Sequence, residues 1–233
     1  LKEAIMPNLV QTIENTPAFI HSGPFANISV GTNSLLATRM AMKMSDYTVI
    51  ECGFGADLGF EKFVDVVSRI ANYDIHAVVV VATARALKHQ GGDDEKNALK
   101  IGLANLGKHI DIVKGFDLQP VVAINVFPGD TKEELDMIKA YCKEKGAAAE
   151  LSEVFAKGGE GGVALAEKVV EVADNADGSF TRSYDLNETV KVKIEKVAKK
   201  VYGAGSIVYT LDAKRKLKLI KKLGLDQLPV CIA

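Results

Sequence analysis

Two runs decide the fold: His76-Ala77-Val78-Val79-Val80-Val81-Ala82-Thr83 and Pro120-Val121-Val122-Ala123-Ile124-Asn125-Val126-Phe127. A strand with one wet face alternates apolar and polar residues. These runs do not alternate, which predicts strands covered on both faces, as in a parallel sheet flanked by helices. Between them, Leu99, Leu103, Leu106, Ile110 and Val113 recur at helical spacing through residues 94–116. After the second run, Asp130-Thr131-Lys132-Glu133-Glu134 carries a helix-start signal. Leu135, Ile138 and Cys142 give that helix its apolar stripe, and Lys143, Lys145 and Gly146 close it. Strand, helix, strand, helix predicts an α/β protein with open, mostly parallel sheets.

Working outward, residues 18–21, 47–51 and 207–210 are further strand candidates. Residues 61–70 are expected to be helical. A later helix carries Leu186, Val190, Ile194, Val197, Ala198 and Val201 on one face and closes at Gly203. Residues 174–181 are polar and turn-rich, the best linker, and a weaker break falls at residues 115–119. The expected division is therefore 1–118, 119–182 and 183–233. The chain opens on Leu1 in a helix-like stretch and stops in the apolar run Val230-Cys231-Ile232-Ala233, which reads as a strand entering a core. Termini are usually polar and frayed, so a piece of a longer protein is expected.

Composition excludes several classes. Net charge is −1, so nothing in the overall balance draws the chain to nucleic acid or to an anionic membrane. Cys52, Cys142 and Cys231 lie far apart with no CxxC pattern, which argues for a reducing compartment and against a disulfide framework or a zinc site. No apolar run approaches the about 20 residues needed to span a bilayer. A cytoplasmic protein is expected.

Several motifs admit two readings. Gly102 to Lys108 fits GxxxxGK, but His109 replaces the Ser or Thr that would hold magnesium, and the context is helical, so it is read as chance. Gly53-Phe54-Gly55-Ala56-Asp57-Leu58-Gly59 is a glycine-rich turn that could admit a phosphate, or a structural turn with Asp57 as helix cap. No acid ends the following strand, so NAD is not expected. Phe25 and Asn27, with Gly31, Thr32, Asn33 and Ser34, form a loop after a strand, either lining a ligand or only packing. Phe127-Pro128 and Leu151 to Phe155 end consecutive strand–helix units. Two aromatics so placed could wall a slot for a flat heterocycle, or be two ordinary core residues. Gly158-Gly159-Glu160-Gly161-Gly162 is a ligand-admitting loop or a helix lead-in. The basic stretch from Lys191 to Lys222 has only Tyr202 and Tyr209 as stacking partners, which favours solvated helix faces over nucleic-acid binding.

Five of these segments, in order, resemble formate–tetrahydrofolate ligases. They are Pro17 to Ile28, Gly53 to Gly59, Ala123 to Pro128, Leu151 to Gly162, and Leu228 to Cys231. The resemblance covers essentially the whole chain. It implies a sheet of P-loop NTPase-like type, a smaller α/β unit and the start of a third. Residues 1–118 would be the second half of a nucleotide-binding domain, 119–182 would contribute the folate slot, and 183–233 would lead into a further domain. It implies ATP-dependent joining of formate to tetrahydrofolate through formyl phosphate, with Mg²⁺ and a monovalent cation, in one-carbon metabolism. By resemblance, Phe25 and Asn27 lie on the formyl phosphate side. Gly31, Asn33, Ser34, Gly53, Gly55 and Asp57 line the nucleotide, and Phe127, Pro128, Leu151 and Phe155 hold the pterin. A homotetramer is implied by analogy. Two departures stand out: Phe155 replaces a usual Trp, and Ser29-Val30-Gly31-Thr32-Asn33-Ser34 replaces a usual Ala-His-Gly-Cys-Asn-Ser. The family's phosphate-binding loop would lie upstream of Leu1, so this stretch alone is expected to be inactive. The alternative is a non-catalytic folate- or nucleotide-binding piece or relative.

Overall fold

The computed structural model describes residues 2–21, 31–94 and 96–232. The chain forms two compact units, one contiguous, Asp74–Thr181, the other joining Leu1–Tyr73 to Arg182–Ala233. In the first segment of the joined unit, β1 (Asn8–Gln11) and β2 (Pro17–Ile20) pair antiparallel, with Asn8 opposite Ile20. Side chains close their turn: Gln11 Nε2 donates to Asn15 Oδ1 at 2.8 Å, and Thr16 N–H donates to Thr12 Oγ1 at 3.1 Å. Helix α1 (Leu35–Met44) begins where Ser34 Oγ accepts from Ala37 N–H at 3.1 Å, satisfying an otherwise orphaned donor. A second helical stretch is π-wound over Gly55–Phe60 and Phe63–Val67, then tightens into α2 (Ser68–Ala71). It ends on Asn72 in the left-handed region. Phe60, Phe63, Val64 and Val67 bury one side of it.

The contiguous unit holds the parallel sheet that the valine runs predict. Strands β3 (Val78–Ala82), β4 (Pro120–Asn125) and β5 (Ala148–Ser152) lie in that order, with Val80 opposite Val122 and Ile124 opposite Leu151. Helices α3 (Ala84–Gln90) and α4 (Ala98–Lys114) connect β3 to β4, and α5 (Lys132–Glu144) connects β4 to β5. After β5 come the single turn α6 (Val154–Lys157), a 3₁₀ stretch Gly158–Gly162 and α7 (Val163–Asp174). Leu103, Leu106, Ile110, Leu135, Ile138 and Cys142 pack on Val122 and Ile124 to form the core. Gly102 and its GxxxxGK frame sit inside α4. A Cβ on Gly102 would lie 1.8 Å from Leu87 O, so this glycine serves the close crossing of α3 and α4 rather than a phosphate.

The expectation of strands covered on both faces holds for β4, whose Pro120 to Ile124 are all buried. It fails for β3, where Val79 is 40% and Val81 68% exposed. The reason is position. The face bearing Val79 and Val81 continues through Val121 and Ala123, and α7 packs on β4 and β5 while β3 is the sheet edge.

Other expectations also fail. Residues 47–51 and 207–210 form no strand, and Val49 and Val208 are 89% and 90% exposed. β-branched runs do not make strands without a ladder to join. Residues 230–232 form none either, because the Tyr184 hydroxyl takes both groups of Val230, donating to its carbonyl and accepting from its N–H, each at 2.8 Å. The helix-like opening is a 3₁₀ turn, Glu3–Ile5.

The turn-rich 174–181 lacks regular structure but is fastened within the contiguous unit, Thr181 N–H donating to Phe116 O and Ile75 N–H to Gly178 O. The weaker break at 115–119 falls inside that unit, whose sheet begins its β3–β4 pairing at Val78 and Pro120. In the joined unit, α8 (Val190–Lys200) and α9 (Leu211–Lys222) are capped by Thr189 and Thr210. Among the described residues no helix is long and apolar enough to cross a membrane.

Candidate functional site

Open parallel sheets expose the carboxyl ends of their strands, where crossing loops leave room for ligands. β4 and β5 are neighbours in register, Asn125 beside Ser152, and each delivers a phenylalanine just past its carboxyl end. Phe127 is 45% and Phe155 84% exposed. Neither is a core residue, and both presentations are held by backbone bonds. Phe127 N–H donates to Asp130 Oδ2 at 2.9 Å, and Asp130 N–H returns to Phe127 O at 3.1 Å. Gly129 completes the turn at φ 99°. Asp130 therefore orients Phe127 as well as preceding α5, a role its sequence context as a helix-start residue did not disclose.

Phe155 rides on α6. Ala156 and Lys157 N–H groups both donate to Glu153 O at 3.0 Å, and Glu153 N–H donates to Gly161 O at 2.9 Å. A Cβ on Gly161 would stand 2.5 Å from Glu153 O, so only glycine permits this closure. The Gly158–Gly162 stretch is thus a wound lead-in to α7 that also fixes the Phe155 turn. Pro128 is exposed beside Phe127. Leu151 differs from these three, because it is partly buried and packs on the core under the strand ends. Single exposed apolar side chains are ordinary. Two large rings fixed at adjacent strand ends leave apolar surface in water where such folds take ligands.

Phe25 and Asn27 lie outside the described residues. Gly31 is buried at φ 70°. The side chains of Asn33 and Ser34 are engaged in tying β2 to α1. Asn33 Nδ2 donates to Phe19 O at 2.9 Å, and its Oδ1 accepts from Ser34 N–H at 2.8 Å. His21 joins them: its Nε2 contacts Ala4 O at 3.0 Å and its Nδ1 contacts Ser34 Oγ at 2.6 Å. A carbonyl can only accept, so Nε2 carries the proton. Thr32, in the same loop, is 4% exposed, and its hydroxyl has no partner among the described residues.

Gly53 and Gly55 take φ of 82° and 78°, the left-handed backbone that a close-approach turn demands. Gly59 is equally constrained, since a Cβ there would lie 2.1 Å from Cys52 O. Asp57 is not the helix cap that the structural reading assigned, because the helical turn starts from Phe54 without a side-chain cap. Its carboxylate folds back over Gly55, with Oδ1 2.6 Å from where a Cβ would be.

One turn further on lies a buried acid pair that sequence reading missed. Glu61 and Asp65 are both fully buried. Asp65 Oδ1 accepts from Ser183 N–H at 2.8 Å, and Arg69 stands 3.8 Å from it. Burial, then the negative charge of Asp65, pushes the Glu61 carboxyl up to about 9, so it is protonated at neutral pH. The available signal was two acids at i and i+4 in Phe60 to Val67, a stretch whose only other polar residue is Lys62.

In comparison with known families, the family model described as formate–tetrahydrofolate ligase matches residues 1–233.

Proposed function

Since the chain belongs to the formate–tetrahydrofolate ligase family, we propose that Phe127 and Phe155 sandwich the pterin of tetrahydrofolate, with Pro128 and Leu151 as flanking apolar wall. The observation carrying this is the exposure of both rings on braced turns at the carboxyl ends of β4 and β5. Offset stacking of a bicyclic heterocycle between two rings removes apolar surface from water and aligns the ring quadrupoles.

In the reaction this reading assigns, a formate oxygen attacks the γ-phosphorus of ATP, forming formyl phosphate and releasing ADP. The folate N10 then attacks the formyl carbon, expels inorganic phosphate and loses its proton, giving 10-formyltetrahydrofolate. Such chemistry depends on positioning and neutralisation of charge. Phe25 and Asn27 border formyl phosphate. Gly31, Gly53 and Gly55 allow close backbone approach to the nucleotide. Asn33 and Ser34 fix their loop, and Asp57 lines the nucleotide by resemblance. Mg²⁺ supplies charge neutralisation on the phosphates when bound with ATP. A homotetrameric assembly is inferred by analogy with the family.

A second reading, folate binding without turnover, is favoured by one feature: Val30 stands where the family usually carries a His. Titration with tetrahydrofolate, and assay of 10-formyltetrahydrofolate with ATP and formate in the longer protein this reading expects, separate the two. Phe155→Ala is expected to weaken tetrahydrofolate binding about tenfold, the loss of one stacked ring. An unchanged Kd removes the slot assignment, whereas binding without product selects the second reading.

A further inference from the structure

A cleft of about 400 Å³ opens in the joined unit, lined by Lys191, Tyr209, Leu211, Lys214, Arg215, Leu217 and Lys218. Its volume is at the lower end of small-molecule sites. Four lining side chains are cations and none is an acid. Two nearby carboxylates are ion-paired, Asp212 with Lys216 at 2.9 Å and Glu195 with Lys199 at 2.7 Å, and Glu195 also feels the charge of Lys191. Among the described residues Lys214, Arg215 and Lys218 form no ion pair. The Lys191 ammonium sits 5.6 Å from the centre of the Tyr209 ring. The Tyr209 hydroxyl is buried and has no hydrogen-bond partner among the described residues. A buried hydroxyl left unpaired costs free energy unless something fills its bonding capacity. Burial, then the charge of Glu195, holds its ionisation above the ordinary phenol range, so it remains a donor.

We propose that this cleft binds a small multiply charged anion, a phosphate chain or a polycarboxylate, held by Lys191, Lys214, Arg215 and Lys218 with the Tyr209 hydroxyl as a neutral donor. Arg215 supplies the planar fork suited to paired oxygens, and the lysines supply point charges. A nucleic-acid strand is the poorer fit, because it wants successive stacking rings, and the one ring here already has Lys191 over it. This inference does not rest on the folate assignment, and the two fail independently.

Calorimetric titration of the chain with inorganic tripolyphosphate and with citrate tests it. At least one is expected to bind with 1:1 stoichiometry, more weakly as salt rises, and the stronger of the two names the ligand chemistry. The double variant Lys214→Gln/Arg215→Gln should lose at least tenfold. Lys221→Gln/Lys222→Gln, the same charge change at the far end of α9, should lose less than threefold. Tyr209→Phe should weaken binding while leaving the salt dependence intact. The proposal is overturned if neither anion binds 1:1, if both double variants lose equally, or if a single-stranded oligonucleotide binds more tightly through the same residues.

Discussion

Glu61 shows how one side chain can tie stability to pH. Its carboxyl rises from an ordinary 4.5 to about 9 because burial and Asp65 both oppose its charge. The folded state therefore keeps a proton that the unfolded chain releases. The resulting stability is fully present below about 4.5 and is lost as pH climbs towards about 9. Urea melts should show falling stability from pH 5 to pH 8.5. Glu61→Gln keeps the shape and a donor toward Asp65 without the titration. It should flatten that dependence and be the more stable form at pH 8.5, whereas a wild-type curve independent of pH would contradict the assignment. At this same scale the sequence was uneven. Phe127 and Phe155 could be named from their places after strand-like runs, because position along the chain fixes which end of a strand they follow. Their exposure could not, since a phenylalanine in sequence looks the same in a core or in water. Glu61 and Asp65 were not singled out, because an i, i+4 acid pair usually means a solvated helix face.

Among the elements, those with a complete local signature were legible. Helix α5 forms where Thr131 and Glu134 form a reciprocal capping box, Thr131 Oγ accepting from Glu134 N–H at 3.3 Å and Glu134 Oε2 from Thr131 N–H at 3.2 Å. Helix α4 follows its leucine spacing closely. Strand β1 went unread because Asn8–Gln11 is short and exposed throughout, and its strand character comes from pairing with β2. The two glycines of the GxxxxGK frame illustrate the opposite hazard, a motif whose meaning depends on its element. Gly102 lets α3 and α4 cross closely, so Gly102→Ala should destabilise the chain by about 1–3 kcal/mol through overpacking against Leu87 O. A midpoint unchanged in thermal melts would mean the crossing relaxes without cost.

The whole chain divides into a contiguous unit with its own sheet and core and a unit assembled from two distant segments. The contiguous segment 74–181 should therefore fold when expressed alone, with a single cooperative transition and dispersed amide resonances. Segment 1–73 alone should not, because Asp65 and Arg69 find their partners in Ser183 and Tyr184. A molten 74–181 fragment would contradict the division. The sequence by itself determined the α/β class, the order of β3, α4, β4 and α5, and the family, because these follow from local periodicity and from short stretches read in order. Only the tertiary structure decided that β3 is an edge, that residues 47–51 and 207–210 are not strands, and that the two phenylalanines stand at neighbouring strand ends in water. It also gathered Lys191 and the α9 cations around Tyr209. Each of these depends on which segments distant in the chain meet, and a linear pattern of apolar and charged residues does not encode that pairing.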